Sequence, residues 1–135
     1  MKNEIKRITE NDYCTLTERI DSELCFVVEL DGSKIRSVPE LFDAAEKGFG
    51  FRVSDGSWGK NWAAFSDMMR DLWWIDSDRI MLFILHPDQL LVNHPAEKER
   101  LMRRLKNSIL PFWEKDVLNC VVGGKTKEFT VYLVE

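Results

Sequence analysis

The fold is decided by residues 25–41, which read CFVVELDGSKIRSVPEL. The run from Cys25 to Leu30 has the β-branched and aromatic bias of a mostly buried strand, and Asp31-Gly32 is a turn signal at its end. Ser37-Val38-Pro39-Glu40 then has the spacing of a capping box, with proline in the first helical turn. A buried strand that leads at once into a helix is typical of an α/β protein.

Two helices are predicted after this strand. The first begins after Ser37 and ends at Lys47-Gly48, because a basic residue followed by glycine is a C-terminal signal. Residues 49–59 are predicted to form a loop. The second helix spans residues 60–72, where four apolar residues recur at helical spacing. These are Trp62, Phe65, Met69 and Leu72.

The remaining elements alternate between strand and helix. Arg79 to Leu85 is a continuous apolar run, as expected for a central strand buried on both faces. A helix follows from Pro95 to Leu110 or Trp113, with Pro111 ending or kinking it. Residues 129–134 form the last strand by residue type. The sequence therefore predicts an α/β fold with a small three-stranded, mainly parallel sheet packed with helices.

The two ends of the chain add features to this plan. Residues 1–24 are interpreted as an N-terminal extension, and residues 25–135 as one domain. Near the other end, Cys120 to Gly124 could pair with the last strand as an extra C-terminal hairpin, because Gly123-Gly124 suits a tight turn.

Charge and composition exclude several function classes. The chain has 135 residues, the usual length of one domain, and a formal net charge of −4 from 19 basic and 23 acidic residues. A mildly acidic protein is not the expected binder of nucleic acid, but it suits a basic partner.

The widely spaced Cys14, Cys25 and Cys120 fit no disulfide framework or metal motif, which indicates reduced thiols. With no signal peptide or apolar span, a cytoplasmic location without membrane contact is predicted.

Catalytic and cofactor motifs are scarce. The chain has only two histidines, His86 and His94, and neither lies in a metal-binding motif. A small hydrolase that uses His86 with Asp76 or Asp78 is the weakest hypothesis, and two aspartates in a turn are too few ligands for calcium. We therefore predict that the protein is not an enzyme and needs no cofactor and no metal.

A protein-binding patch is predicted on the second helix. The face opposite its apolar residues carries two carboxylates. The alanines beside them have short side chains, so a partner can approach this face closely. This face contains Lys60, Ala63, Ala64, Asp67 and Asp71. Trp58 lies in the preceding loop and is predicted to be accessible, and tryptophan is frequent at binding hot spots.

The helix that begins at Pro95 offers a rival interpretation. Its outer face carries Arg100, Arg103, Arg104 and Lys106. Arginines at this spacing could meet phosphate, so an RNA-binding or regulatory module is the alternative function. The acidic balance of the chain and the lack of aromatic residues on that face favour a solvated helix surface instead.

Two motifs resemble the barstar family of intracellular ribonuclease inhibitors. Residues 30–41, LDGSKIRSVPEL, resemble its first strand, turn and helix start, and residues 59–67, GKNWAAFSD, resemble the loop and the start of its inhibitory helix. The resemblance covers residues 25–135. It implies a small α/β domain with a three-stranded parallel sheet that occludes the active site of a ribonuclease.

The resemblance also implies which residues would bind the partner. Trp58 matches an aromatic loop position, Gly59 and Asn61 match the loop and helix entry, and Asp67 matches the carboxylate that imitates a substrate phosphate. Two positions depart from the family, because Ala63 replaces an aspartate and Ser57 replaces an aromatic residue. These departures indicate a different cognate enzyme.

The leading prediction combines the two lines of argument. The protein is expected to be a cytoplasmic immunity protein that binds a basic nuclease toxin, as a monomer or in a 1:1 complex. The predicted contact residues are Trp58, Gly59, Lys60, Asn61, Ala63, Ala64, Asp67 and Asp71.

Overall fold

The sheet has four parallel strands in the order β1-β4-β3-β2. A computed structural model describes residues 2–21, 23–51 and 58–135. The strands are β1 (Glu4–Ile8), β2 (Cys25–Asp31), β3 (Arg79–Leu85) and β4 (Glu128–Val134). The α-helices are α1 (Glu10–Arg19), α2 (Val38–Phe49), α3 (Trp62–Met69), α4 (Pro95–Arg104) and α5 (Val117–Cys120).

The predicted α/β class with a parallel sheet is confirmed, but the sheet has one strand more than predicted. β1 comes from the segment interpreted as an extension and pairs with β4, with Ile5 opposite Val131. The hairpin at Gly123-Gly124 is wrong. Both edges of β4 are already paired, to β3 on one side and to β1 on the other, so no edge is left for another strand.

Three boundaries of α2 and α3 differ from the prediction. α2 passes the expected stop and ends at Phe49, because Gly50 and not Gly48 adopts the left-handed conformation, with φ 67°. Gly48 instead allows α2 to lie close to the sheet, since a Cβ there would be 2.6 Å from Val28 Cγ1. α3 begins at Trp62 rather than residue 60 and ends at Met69, which makes it shorter than predicted.

Pro111 does not end its helix. The helical path continues from Pro95 to Cys120 through two π-helical turns, Leu105–Ile109 and Phe112–Asp116. In the first of these turns the Leu110 N–H bonds to the Leu105 carbonyl, five residues back. The wider π turns on either side accommodate a ring that has no N–H to donate.

Alternating side chains of the sheet build two apolar layers. One face, which includes Val28, Ile80, Leu82, Phe129 and Val131, packs beneath α2, α3 and the helical path from Pro95. The other face contains Cys25, Met81, Phe83 and Val134, and Tyr13 and Leu16 of α1 pack against it. The larger layer therefore positions α3, and α1 covers the opposite side of the sheet.

Tyr13 makes the packing of α1 on the sheet, and with it the free energy of unfolding, dependent on pH. Burial, with the hydrogen bond that Tyr13 donates to Glu29 and the charge of that carboxylate, raises the pKa of Tyr13 from 10.0 to about 12. Between these two values the unfolded chain loses the phenol proton before the folded one. The contribution to stability is therefore complete below pH 10 and is lost as the pH rises from about 10 to about 12.

We expect Tyr13→Phe to remove this alkaline dependence. The variant should unfold at lower urea concentration than wild type at about pH 8, and the difference should shrink by about pH 11 as wild type loses its advantage. Urea unfolding at the two pH values measures both differences. A difference that is the same at both would contradict the assignment to Tyr13.

Candidate protein-binding site

A tight turn sets the start of α3. Gly59 has φ 84° and Lys60 has φ 46°, so two consecutive residues are left-handed. Asn61 is the N-cap, and its side-chain oxygen accepts the Ala64 N–H at 2.8 Å. Because Lys60 cannot be helical in this conformation, the helix starts at Trp62, and the Lys60 ammonium reaches Asp43 of α2 at 3.5 Å.

An aromatic cluster fixes this turn to α2. The ring centroid of Phe42 lies 5.3 Å from that of Trp58, 5.3 Å from that of Trp62 and 5.6 Å from that of Phe65. Phe42 is 3% exposed, so its ring is enclosed by these contacts. The cluster joins α2, the residue before the turn and both ends of the first turn of α3.

The prediction that Trp58 is accessible is wrong. Its side chain is only 6% exposed, packs edge-on against Phe42 and Phe51, and donates its indole N–H to Glu46 at 2.7 Å. Two neighbouring aromatic rings and a carboxylate of α2 satisfy both the apolar and the polar part of the indole. Trp58 therefore supports the turn from below. Ser57, which the sequence identified as a departure, lies outside the described residues.

The outer face of α3 has short alanine side chains and one exposed carboxylate. Ala63 is exposed, Ala64 is half-buried, and the Asp67 side chain is 74% exposed. On the inner face Phe65, Met69 and Leu72 are buried and Trp62 is half-buried, as predicted. Asp71 is exposed but lies in the turn after α3, so it does not share the regular helix face with Asp67.

Asp67 has a neighbour of opposite charge on its own helix. The Arg70 guanidinium donates to the Asp67 carboxylate at 2.9 Å and to the Ser66 carbonyl at 3.2 Å. Both side chains of the pair are solvent-exposed, so we expect it to stabilise the helix by less than about 1 kcal/mol. The carboxylate can exchange this contact for a stronger one.

Contacts between α3 and α4 were not predicted. Arg104 donates to the Ser66 hydroxyl at 2.7 Å and to the Trp62 carbonyl at 3.2 Å, and the Trp62 indole donates to Glu97 at 2.8 Å. Ser66 is 4% exposed although it is polar. The signal in the sequence was Ser66 itself, which directly follows the apolar residues Ala63, Ala64 and Phe65 and requires a polar partner once it is buried.

The remaining candidate groups lie elsewhere. His86 is exposed in the turn after β3, with φ 50°, and Asp76 and Asp78 lie in the segment that enters β3. In the described parts of the chain, no three acidic, histidine or cysteine residues are grouped as a metal site. Among the described helices, none combines the length and the apolar character that crossing a bilayer requires.

Sequence comparisons place this geometry in a family. No curated protein matches the chain. The family described as Barstar (barnase inhibitor) matches residues 25–133, which is most of the chain. Members of that family are inhibitors that bind a ribonuclease and are not enzymes, which agrees with the prediction of a non-enzymatic protein. Both the matched segment and the predicted resemblance include the strand β2, the turn before α3 and α3 itself, and the chain therefore belongs to the barstar family.

Proposed function

We propose that this protein protects a cell by inserting the outer face of α3 into the active site of a ribonuclease or related nuclease toxin. The proposed contact surface, called the α3 surface below, consists of Gly59, Lys60, Asn61, Ala63, Ala64, Asp67 and Asp71. Trp58 belongs to the site as the buried support of the turn. The complex is proposed to contain one copy of each protein and to form in the cytoplasm.

The exposure of Asp67 carries this proposal. A nuclease must stabilise the negative charge of a phosphate group, and in a nuclease that works without a metal ion cationic side chains supply that stabilisation. A carboxylate that is 74% exposed on a helix, with only the methyl group of Ala63 one turn before it, can enter such a cleft. Close charge pairs across an interface couple by about 1.5–7 kcal/mol, a range that the barnase–barstar complex itself supplied.

The rigidity of the turn supports the same proposal. The cap of Asn61, the ion pair of Lys60 with Asp43 and the aromatic contacts of Phe42 hold the first turn of α3 before any partner arrives. A preorganised surface loses little conformational entropy on binding. The loss of conformational entropy on binding therefore offsets little of the electrostatic attraction to the partner.

Asp67→Arg is expected to abolish protection. The substitution puts a cation where the proposed surface meets a cationic cleft, so attraction becomes repulsion. Cells that express a candidate nuclease toxin, taken from the genes beside this one, should survive with wild type and die with the variant. Because Asp67 is exposed, the variant should unfold at about the same denaturant concentration as wild type.

Glu18→Arg provides the matched control. Glu18 is exposed on α1, on the other side of the sheet, and the charge change is the same. This variant should protect cells fully. If Asp67→Arg protects as well as Glu18→Arg, the α3 surface is not the inhibitory one.

A further inference from the structure

A basic groove lies beside the α3 surface and has no role in the proposal so far. It has a volume of about 500 Å³ and is lined by Arg100, Arg103, Arg104, Asn107 and Ser108. Arg103 and Arg104 stand about one turn after Arg100 on the same side of the helix, and the amide and hydroxyl groups follow them where the first π turn widens the helix. We call this concavity the arginine groove.

Arg104 connects the arginine groove to α3. Its guanidinium donates to the hydroxyl of Ser66, the residue before Asp67, and lies 5.7 Å from the ring centroid of Trp62. Both contacts hold the side chain in one position, and neither neutralises its charge. A partner that covers Asp67 would therefore meet a fixed cation on the neighbouring element.

The charge of the groove is only partly compensated within the protein. Arg100 forms an ion pair with Glu97 at 3.5 Å. Across the described ranges, no ion pair involves Arg103 or Arg104. A guanidinium offers five donors in a planar fork that matches a carboxylate or a phosphate, so the groove can accept at least one anionic group.

We infer that the arginine groove receives carboxylate side chains of the same protein partner that meets the α3 surface. This inference rests on the proposed function, because the groove would be covered only if the partner docks on α3. The docking surface is then bipolar: Asp67 faces cations of the partner, and Arg103 and Arg104 face its acidic residues. Complementarity of two signs also selects one partner against others.

The pattern of charge favours a protein partner over RNA. RNA presents a continuous row of negative phosphates, which would be attracted at the groove and repelled at Asp67 and Glu97 on either side of it. The net charge of −4 adds further repulsion. A protein surface can alternate in sign over this distance, so it can satisfy both parts of the docking surface.

Two short anions of similar charge test the inference. Hexaglutamate and 5′-phosphorylated hexauridylate are titrated separately into the 15N-labelled protein at low ionic strength, where surface charges are least screened. We expect hexaglutamate to shift the amide signals of residues 100–108 and to bind more tightly than hexauridylate. Arg103→Glu should weaken hexaglutamate binding at least about tenfold, because one attractive charge becomes repulsive.

Lys115→Glu is the matched control, because Lys115 is exposed on the same helical path but outside the groove. It should bind hexaglutamate as wild type does. Equal weakening by both substitutions, or tighter binding of hexauridylate, would overturn the inference. Asp67→Arg separates the two proposals: failure of the proposed function appears as normal protection by this variant, whereas failure of the groove appears as peptide binding that Arg103→Glu does not change.

Discussion

Replacing Phe42 with alanine is expected to lower the free energy of unfolding by about 3–5 kcal/mol, the largest effect of any substitution proposed for this protein. Phe42 is 3% exposed, and its ring contacts Trp58, Trp62 and Phe65 at once. Truncation would leave a cavity among three rigid rings that cannot collapse into it. Each lost aromatic pair adds to the effect of the lost burial.

The same substitution should also loosen the α3 surface, which a second measurement can show. Leu41→Ala is the matched control, because Leu41 is the preceding residue of α2 and is 1% exposed, but it has no part in the aromatic cluster. Both variants should unfold at lower urea concentration. Only Phe42→Ala should lose near-ultraviolet circular dichroism while still folded, since that signal depends on fixed aromatic rings.

Nuclease binding should distinguish Phe42→Ala from Leu41→Ala in the same way. Below its unfolding transition, Phe42→Ala should bind the nuclease more weakly than Leu41→Ala does, because the turn at Gly59 and Lys60 is no longer held. Unchanged near-ultraviolet signal and unchanged nuclease binding in Phe42→Ala would show that the cluster does not position the α3 surface. A loss of stability below about 1 kcal/mol would contradict the cavity argument.

Local signals in the sequence predicted much of the sheet and of α3. The apolar run of β3 gave its observed bounds, Arg79–Leu85, because a strand buried on both faces has no polar interruption. The inner face of α3 was predicted from spacing alone, since the 3.6-residue period reflects which side chains meet the core. The exposed position of Asp67 opposite this face followed from the same period.

Contacts between distant segments were not predictable in the same way. β1 is mostly polar and has no buried residue, and the residue before it helps to hold it beside β4: Asn3 donates to the carbonyls of Leu110 and Lys127 and accepts the Phe129 N–H. All three partners are more than 100 residues away. No pattern of neighbouring residues predicts hydrogen bonds to residues so far along the chain.

Within the site, the burial of Trp58 was not predictable for the same reason. Its neighbours in sequence are polar or glycine, which is typical of an accessible loop. Its burial depends on Phe42, Phe51 and Glu46, which reach it only after α2 has packed on the sheet. The family resemblance identified its position correctly as part of the site but gave no information about its exposure.

Lys127→Met is expected to lower the free energy of unfolding by about 2–4 kcal/mol. Lys127 is 8% exposed, and its ammonium donates to the carbonyls of Ile75 at 2.8 Å and Ser77 at 2.6 Å. These bonds attach the segment before β3 to the start of β4. Methionine keeps most of the apolar stem but leaves both carbonyls without their donor, and the buried Ile75 carbonyl has little access to water.

The pH dependence reports the cost of burying the ammonium charge, and a neighbouring lysine serves as the control for the two bonds. Burial lowers the pKa of Lys127 below its usual 10.5, so its proton leaves the folded chain first. Its contribution to the free energy of unfolding therefore rises with pH between the lowered value and 10.5, a rise that Lys127→Met should not show. Lys125→Met removes an exposed charge from the same segment and should change the urea midpoint little. Equal midpoints for the two variants would mean that the bonds to Ile75 and Ser77 do not hold the entry to β3.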